Sequence, residues 1–369
     1  MIQLNKKKIF FVTGSRAEFG QFENFLKKLS HQKKWDLSLI ITGSFLENGF
    51  EDDLNDIVKS KIKIVKKIKL NIKKNKSKNI LDEVSFGIKK FSEFLSDAKP
   101  DYIILPCDRY EILCPAFAAF FLKIPIIHFY GGETSEGSFD DTIRNQVSLL
   151  SKYHFVSHKN HANKLINFGI EKKYIFNVGS LALDGINGSK FFTKKKLINL
   201  FKNFFDSKTA LVTFHPVTNG NTKKEFSNVI NALEKTKNLN VLFTGPNNDP
   251  DNQTILSKIN LLIIKNPKKY FFQRHLGRKL YFSFVKNVDF NLGNSSSLFY
   301  EVPLFKKFSI NIGSRQKNRT AGMSVFNIEA KSKDILKMLQ KKKYKKINFQ
   351  NPYYQKNSIK KILEILNKF

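Results

Sequence analysis

Short, almost uninterrupted apolar runs alternate along the chain with stretches in which apolar residues return every three or four positions. Residues 9–13, 37–42, 102–106, 125–129 and 154–157 are runs of the first kind. Strands without polar alternation are expected where helices cover both faces of a parallel sheet. Between the first two, Phe22, Phe25, Leu26 and Leu29 fall on one helical stripe. Residues 82–97, 110–122, 139–149 and 159–168 also read as helices. At 60–80 the two periods mix, with Ile62, Ile64 and Ile68 set in a lysine-rich run, which predicts a strand and then an exposed loop.

The pattern restarts after residue 180. Runs at 210–214, 241–244, 261–264, 288–292 and 308–312 read as strands, and 192–204, 222–236, 269–285 and 332–342 as helices. Two strand–helix series in succession predict two open, mostly parallel sheets rather than one barrel, with a boundary near 180–207. The Asn/Asp/Gly/Pro-rich stretches 219–221 and 246–252 read as loops. At the end, Ile359, Ile362, Leu363, Leu366 and Phe369 form a last helical stripe after Asn351-Pro352, placed to pack away from the second sheet.

A length of 369 residues suits two domains of about 150–200 residues each. With 41% apolar and 13% aromatic residues, the chain is not a disordered one. No apolar run approaches the roughly 20 residues that cross a bilayer, and the basic start, followed only by 9–13 and Gly14-Ser15-Arg16, reads as a first strand rather than a secretory signal. Two cysteines, Cys107 and Cys114, make no disulfide framework and point to a reducing, cytoplasmic setting. The net charge of +33 would by itself suggest nucleic acid. Yet only seven of the 64 basic residues are arginines, and base readout and bidentate phosphate contacts favour arginine. The lysine excess accompanies frequent Asn, Ile and Phe, which share A/T-rich codons, so the charge requires no nucleic-acid partner and remains compatible with anionic small molecules.

In open α/β sheets ligands bind beyond the carboxyl ends of the strands, so each strand exit is a candidate. The first, Thr13-Gly14-Ser15-Arg16-Ala17-Glu18-Phe19-Gly20, can present backbone N–H groups to an anion, with Arg16 adding a fixed charge, or serve as a plain strand–helix turn. It lacks Gly-x-Gly-x-x-Gly, and no Gly-Lys-Ser/Thr phosphate loop occurs in the chain. At the third exit, Cys107-Asp108-Arg109-Tyr110-Glu111, Asp108 suits chemistry or a helix cap, while Arg109 and Glu111 can pair at the surface. The fourth, His128-Phe129-Tyr130-Gly131-Gly132-Glu133, turns at its glycines, and Asp141 and Arg144 follow. Asp108, Glu133 and Asp141 thus come after successive elements of one sheet. If they converge, they can share a proton for acid/base work or hold a divalent metal. His154, His158 and His161 straddle a strand and its exit, which favours polar-surface or core histidines over a zinc site.

In the second half His215 follows the first strand. Ser295, Ser296 and Ser297 stand at a helix start, where hydroxyls and amides can cradle a diphosphate, and Glu301 lies one turn on, able to accept both hydroxyls of a ribose. Arg315 and Arg319 share the glycine-flanked loop 313–322, which reads either as an anion site or as a solvated basic loop.

Taken together, these stretches resemble the UDP-N-acetylglucosamine 2-epimerase family, in its hydrolysing branch that supplies sialic- and legionaminic-acid-type sugars. The matching segments are VTGSRAEFG at 12–20, CDRYE at 107–111 and IPIIHFYGGETSEGSFDDTIR at 124–144. KYHFVSHKNHANKLINFG at 152–169, NVGSLALD at 177–184, LVTFHPVT at 211–218, GNSSSLFYEVP at 293–303 and NIGSRQKNRTAG at 311–322 complete them. The resemblance spans nearly the whole chain in the family's order. It implies an α/β architecture of two Rossmann-like domains facing across a cleft, as in glycosyltransferase-B folds. Residues 1–185 would carry the acid/base carboxylates, 186–350 the nucleotide diphosphate, and 351–369 a helix returning to the first domain.

The implied reaction removes the C2 proton of a UDP-N-acetylhexosamine, expels UDP from C1, and hydrates the resulting glycal to the free manno-configured sugar. The substrate would be UDP-N-acetylglucosamine or UDP-N,N'-diacetylbacillosamine. No NAD and no catalytic metal are implied, nor a nucleic-acid or membrane partner; a homodimer is. By motif, Asp108, Glu133 and Asp141 match the family's acid/base carboxylates, with Asp108 and Glu133 as the core pair. Arg16, Arg144 and His215 match its phosphate-side or cleft-lining polar residues, His215 being grouped with the catalytic set. Ser295, Ser296 and Ser297 would hold the diphosphate, Glu301 the ribose, and Arg315 and Arg319 the nucleotide. Cys107, Leu298 and Val302 depart from the usual residues, the last two adding bulk beside the nucleotide. The alternative within this fold is a nucleotide-sugar transferase, which would leave C2 protonated; the alternative from another class is a basic nucleic-acid-binding module.

Overall fold

All but one of the apolar runs become strands of two parallel sheets. The computed structural model describes residues 6–47, 54–70, 77–106, 109–136, 138–184, 186, 189–247, 249–341 and 348–369. They fall into two compact units: one of residues 1–133, 140–184 and 353–369, the other of residues 134–139 and 185–352. The short segment after Glu133 therefore belongs to the second unit, although it lies between two elements of the first.

In the first unit β1 (Lys7–Thr13), β2 (Trp35–Ile41), β3 (Ile64–Lys67), β4 (Tyr102–Pro106), β5 (Ile126–Phe129), β6 (Tyr153–Val156) and β7 (Ile175–Asn177) form one sheet. Their order is β3-β2-β1-β4-β5-β6-β7 and every pairing is parallel. The helices are α1 (Arg16–Ser30), α2 (Leu54–Ser60), α3 (Ser77–Ala98), α4 (Tyr110–Phe121), α5 (Asp140–Leu150) and α6 (Lys159–Asn167). The α1 stripe, Phe22, Phe25, Leu26 and Leu29, is fully buried against β1 and β2 residues such as Ile9, Phe11 and Leu39. Ser15 caps α1, its side chain accepting from the N–H of Glu18.

The second unit holds β8 (Lys208–Thr213), β9 (Leu239–Thr244), β10 (Tyr270–Gln273), β11 (Phe290–Gly293), β12 (Ser309–Ile312) and β13 (Val325–Ile328), with α7 (Lys194–Leu200), α8 (Thr222–Lys235), α9 (Asn252–Lys265), α10 (Gly277–Asn287), α11 (Ser297–Tyr300) and α12 (Ser332–Gln340). The sheet order is β10-β9-β8-β11-β12-β13, again all parallel. Each sheet is thus a Rossmann-like layer flanked by helices, the two-domain architecture of glycosyltransferase-B folds.

Two expectations are corrected. Residues 261–264 are not a strand but the end of α9, and the strand between α9 and α10 is Tyr270–Gln273, inside the stretch that reads as a helix from 269. Edge strands β7 and β13 and helix α2 had no counterpart in the sequence pattern.

The last helix, α13 (Ser358–Leu366), packs into the first unit's core through Ile359, Ile362 and Leu366, all buried. Burial of three such side chains contributes roughly 1.5–3 kcal/mol each. Phe369 stacks on Tyr153 at 4.0 Å. The N–H of Ser180 donates to the Tyr353 carbonyl at 2.9 Å, and that of Ile359 to Asp184 at 3.0 Å, which anchors the entry to this segment.

Candidate active site

At the carboxyl end of β5 the chain reverses through Gly131 and Gly132. Gly132 has φ +75°, and a Cβ there would run into the carbonyl oxygen of His161. Only glycine lets the turn press onto α6 this closely, and the next residue, Glu133, is carried inward and buried. Its Oε1 accepts from Ser157 Oγ at 2.7 Å, just past the end of β6. Its backbone carbonyl accepts from Arg144 Nη1 at 2.9 Å and Lys164 Nζ at 3.3 Å. Arg144 Nη1 also bonds Asp141 Oδ1 at 3.1 Å, and Lys164 Nζ lies 3.8 Å from Asp141 Oδ2. One guanidinium therefore links the backbone carbonyl of Glu133 to the carboxylate of Asp141. Arg144 is fully buried rather than presented to solvent. Asp108 and Cys107 lie outside the described residues.

A second group gathers at the ends of β1 and β4. Glu18 is buried, with Oε1 accepting from Thr13 Oγ1 at 2.7 Å and from the Gly14 N–H at 3.0 Å, while Oε2 has no hydrogen-bond partner. Burial, helped by the nearby Glu111 charge, pushes its pKa up to about 8. Glu111 is itself buried and pairs with Arg109 at 3.2 Å, so that pair is not a surface one. Arg16 opens α1, half-buried.

In the second unit β8 and β11 run side by side, and their ends carry His215 and Asn294. Gly293, at φ +141°, lies against the Thr213 carbonyl where no side chain fits. Asn294 Oδ1 accepts from the His215 N–H and its Nδ2 donates to the His215 carbonyl. The imidazole Nδ1 accepts from the Asn247 N–H at 3.1 Å. Arg315 is buried and donates from Nε to the Pro216 carbonyl at 3.2 Å and from Nη1 to the Asn294 carbonyl at 3.4 Å, and Gln316 Nε2 reaches the same carbonyl at 3.0 Å. Arg319 lies over the Tyr300 ring at 5.5 Å.

Ser295 is buried; Ser296 and Ser297 are half-buried at the start of the four-residue α11. Ser297 Oγ is 2.5 Å from the Tyr281 hydroxyl. Leu298 and Val302 point into the core, so their bulk goes to packing. Burial raises the Glu301 pKa to about 7 against the opposing pull of Arg278 and Arg319, and its buried Oε2 has no hydrogen-bond partner. An acceptor of that kind suits a ligand hydroxyl.

The 134–139 segment docks on the same unit. Glu136 accepts from Asn318 Nδ2 at 2.6 Å and lies 3.6 Å from Lys317 Nζ, its carbonyl takes Asn219 Nδ2 at 3.1 Å, and the Phe139 N–H donates to Thr218 Oγ1 at 3.1 Å. The loop bearing Arg315 and Arg319 is thus braced by residues that follow Glu133 in the chain.

Ser157, Lys164, Glu18 and Asn294 are not singled out from the sequence as functional candidates, and His161 reads there as a core or surface histidine. The i, i+4 pair Ser157/His161 at a strand exit was the available signal. Among the described residues no group of three His, Cys, Asp or Glu side chains is arranged to hold a metal ion, and no helix is long and apolar enough to cross a membrane.

The family model for UDP-N-acetylglucosamine 2-epimerase matches residues 27–367. The chain is 34% identical to the GDP/UDP-N,N'-diacetylbacillosamine 2-epimerase (hydrolyzing) of Campylobacter jejuni, over 93% of this chain and 90% of that one. It is 32% identical to the UDP-N,N'-diacetylbacillosamine 2-epimerase (hydrolyzing) of Legionella pneumophila, over 94% and 92%. Among solved structures, the UDP-GlcNAc 2-epimerase of Neisseria meningitidis bound to UDP-GlcNAc superposes with a TM-score of 0.81 at 20% identity, over 98% of this chain and all of that one.

Proposed function

The chain belongs to the UDP-N-acetylglucosamine 2-epimerase family, and from that premise we propose that it is a hydrolysing 2-epimerase of UDP-N-acetylhexosamines. The two relatives of its own branch favour UDP-N,N'-diacetylbacillosamine, with UDP-N-acetylglucosamine as the other substrate of the class. The reaction takes the C2 proton onto a carboxylate as the C1–O bond to UDP breaks. Water then adds to the glycal at C1, and a proton is delivered to C2 from the opposite face, which gives the manno configuration.

The observation that carries this reading is the setting of Glu133, a buried carboxylate beyond a strand end, kept an acceptor by Ser157 and steadied through its carbonyl by Arg144 and Lys164. A C2–H beside an acetamido group is weakly acidic, so an accurately placed base supplies much of the rate. Asp108 and Glu133 form the acid/base pair, with Asp141 in support through Arg144. His215, Arg16, Arg315 and Arg319 meet the charge that gathers on the departing diphosphate. Ser295, Ser296 and Ser297 hold that diphosphate, and Glu301 accepts the ribose hydroxyls. The reaction is a cytoplasmic one in this account. The protein acts as a homodimer in this reading.

Product analysis in deuterated water with a panel of UDP and GDP amino sugars tests the proposal. It expects released UDP and a free manno-configured sugar carrying deuterium at C2. A product that retains its C2 proton would replace this reading with simple sugar transfer.

A further inference from the structure

Glu133 stands at the end of a hydrogen-bonded chain rather than beside a single neighbour. Ser157 Oγ lies 2.7 Å from Glu133 Oε1 and 3.1 Å from His161 Nδ1. A hydroxyl has one proton, and a charged carboxylate only accepts. The Ser157 proton therefore points to Glu133, and the Ser157 lone pairs accept from His161, which must carry its proton on Nδ1. Ser157 and His161 are buried, and the imidazole packs in a three-ring cluster with His158 at 5.7 Å and Tyr353 at 5.8 Å, those two rings being 6.2 Å apart. Tyr353 comes from the C-terminal segment, whose carbonyl is tied to Ser180. The glycine at 132 fixes the other end, since it alone allows the Glu133 turn to rest on the His161 backbone.

From this geometry we propose that Ser157 and His161 are positioning residues for Glu133: a directed hydroxyl–imidazole relay that orients its carboxylate and favours the charged form. The proposal rests on Glu133 belonging to the acid/base pair. No proton passes along the relay; it sets direction and charge. The charged groups seen against Glu133 are Lys164 of α6 and Arg144 of α5, both on its carbonyl. Asp141 of α5 pairs with those two cations, and His158, which caps α6, faces His161. Lys164 and Arg144 bind the carbonyl, whereas the Ser157 hydroxyl binds the carboxylate itself and so bears on the direction of its oxygens.

The test compares Glu133→Gln, Ser157→Ala, Ser157→Thr and His161→Gln by UDP release and C2 deuteration across pH. Ser157→Ala is expected to lower kcat at least ~10-fold with KM little changed. Losing a hydrogen bond to the charged carboxylate also moves the limb of the kcat profile that belongs to Glu133 to higher pH, whether Glu133 serves as base or as acid. Ser157→Thr keeps the hydroxyl and restores most of the rate; His161→Gln shifts the same limb by less. A Ser157→Ala enzyme that is slower at every pH with its limb unmoved, or as fast as the parent, overturns the relay. Should Ser157→Ala fail to fold, Ser157→Thr and His161→Gln decide on the same limb. Full activity in Glu133→Gln would instead overturn the role of Glu133 itself, so the two failures are distinct.

Discussion

Asn294 clamps the backbone of His215 with both ends of its side-chain amide: Oδ1 accepts the His215 N–H at 2.7 Å and Nδ2 donates to its carbonyl at 2.9 Å. Because the Asn294 carbonyl also takes Arg315 and Gln316, one fully buried residue ties the exit of β8 to the arginine loop. Asn294→Ala strips two backbone groups of partners at a cost of about 1–3 kcal/mol each. The expected outcome is a loss of about 2 kcal/mol or more in denaturant unfolding, with kcat/KM falling as His215 and Arg315 lose their common support. Stability within 0.5 kcal/mol of the parent would show that the clamp is dispensable.

Glu301 offers a binding signature. In the free protein its pKa is raised to about 7 by burial. A ligand hydroxyl donating to the carboxylate favours its charged form, so binding lowers that pKa and releases a proton. UDP should therefore bind more tightly as pH rises from about 6 through 7. Calorimetry in buffers of different ionisation enthalpy should show a proton release near pH 6.5 that Glu301→Gln abolishes. Equal proton release in parent and variant would take the ribose away from Glu301.

The sheets were legible because their strands are apolar on both faces, and the error at 261–264 is instructive. Leu261 and Ile264 are exposed, 65% and 78%, whereas Ile255, Ile259 and Leu262 form the buried stripe of α9. Two solvent-facing aliphatics filled in the helical spacing and disguised it as a strand. The real strand, Tyr-Phe-Phe-Gln at 270–273, is short and abuts a helix equally rich in aromatics, so periodicity alone could not separate them.

Glu18 predicts a stability change with the opposite sign to an ion-paired carboxylate. Its pKa rises from 4.5 to about 8 on folding, chiefly by burial. Between those values the folded chain holds a proton that the unfolded chain has lost, so stability falls as pH increases through this window. Glu18→Gln preserves the acceptor that Thr13 and Gly14 use and removes the titration. The gain in unfolding free energy of the variant over the parent should grow by on the order of 2–3 kcal/mol from pH 5 to pH 8. A difference that stays constant with pH would mean that Glu18 is charged in the folded chain.

Less of the candidate site could be read in advance, and for a physical reason. Glu133 and Asp141 are recognisable as acids after a strand, but the shared Arg144 contact depends on how α5 folds back, which spacing does not encode. Ser157 and His161 sit in a segment whose histidines read as core or surface residues. Their alignment on Glu133 appears only once Gly132 brings the turn against α6.

His154 extends the argument to acid. It lies directly opposite His128 across the β5–β6 ladder and is fully buried. Burial, with the His128 charge adding to it, lowers its pKa from 6.5 to about 3. In that interval the unfolded chain binds the proton and the folded chain does not, so stability is lost as pH falls below 6.5. At pH 5 the loss amounts to about 2 kcal/mol relative to neutral pH. His154→Phe fills a similar volume and removes the linkage. Thermal melts of parent and variant should diverge as pH drops from 7.5 to 5, the variant melting higher in acid, and parallel curves would require His154 to be protonated inside the sheet.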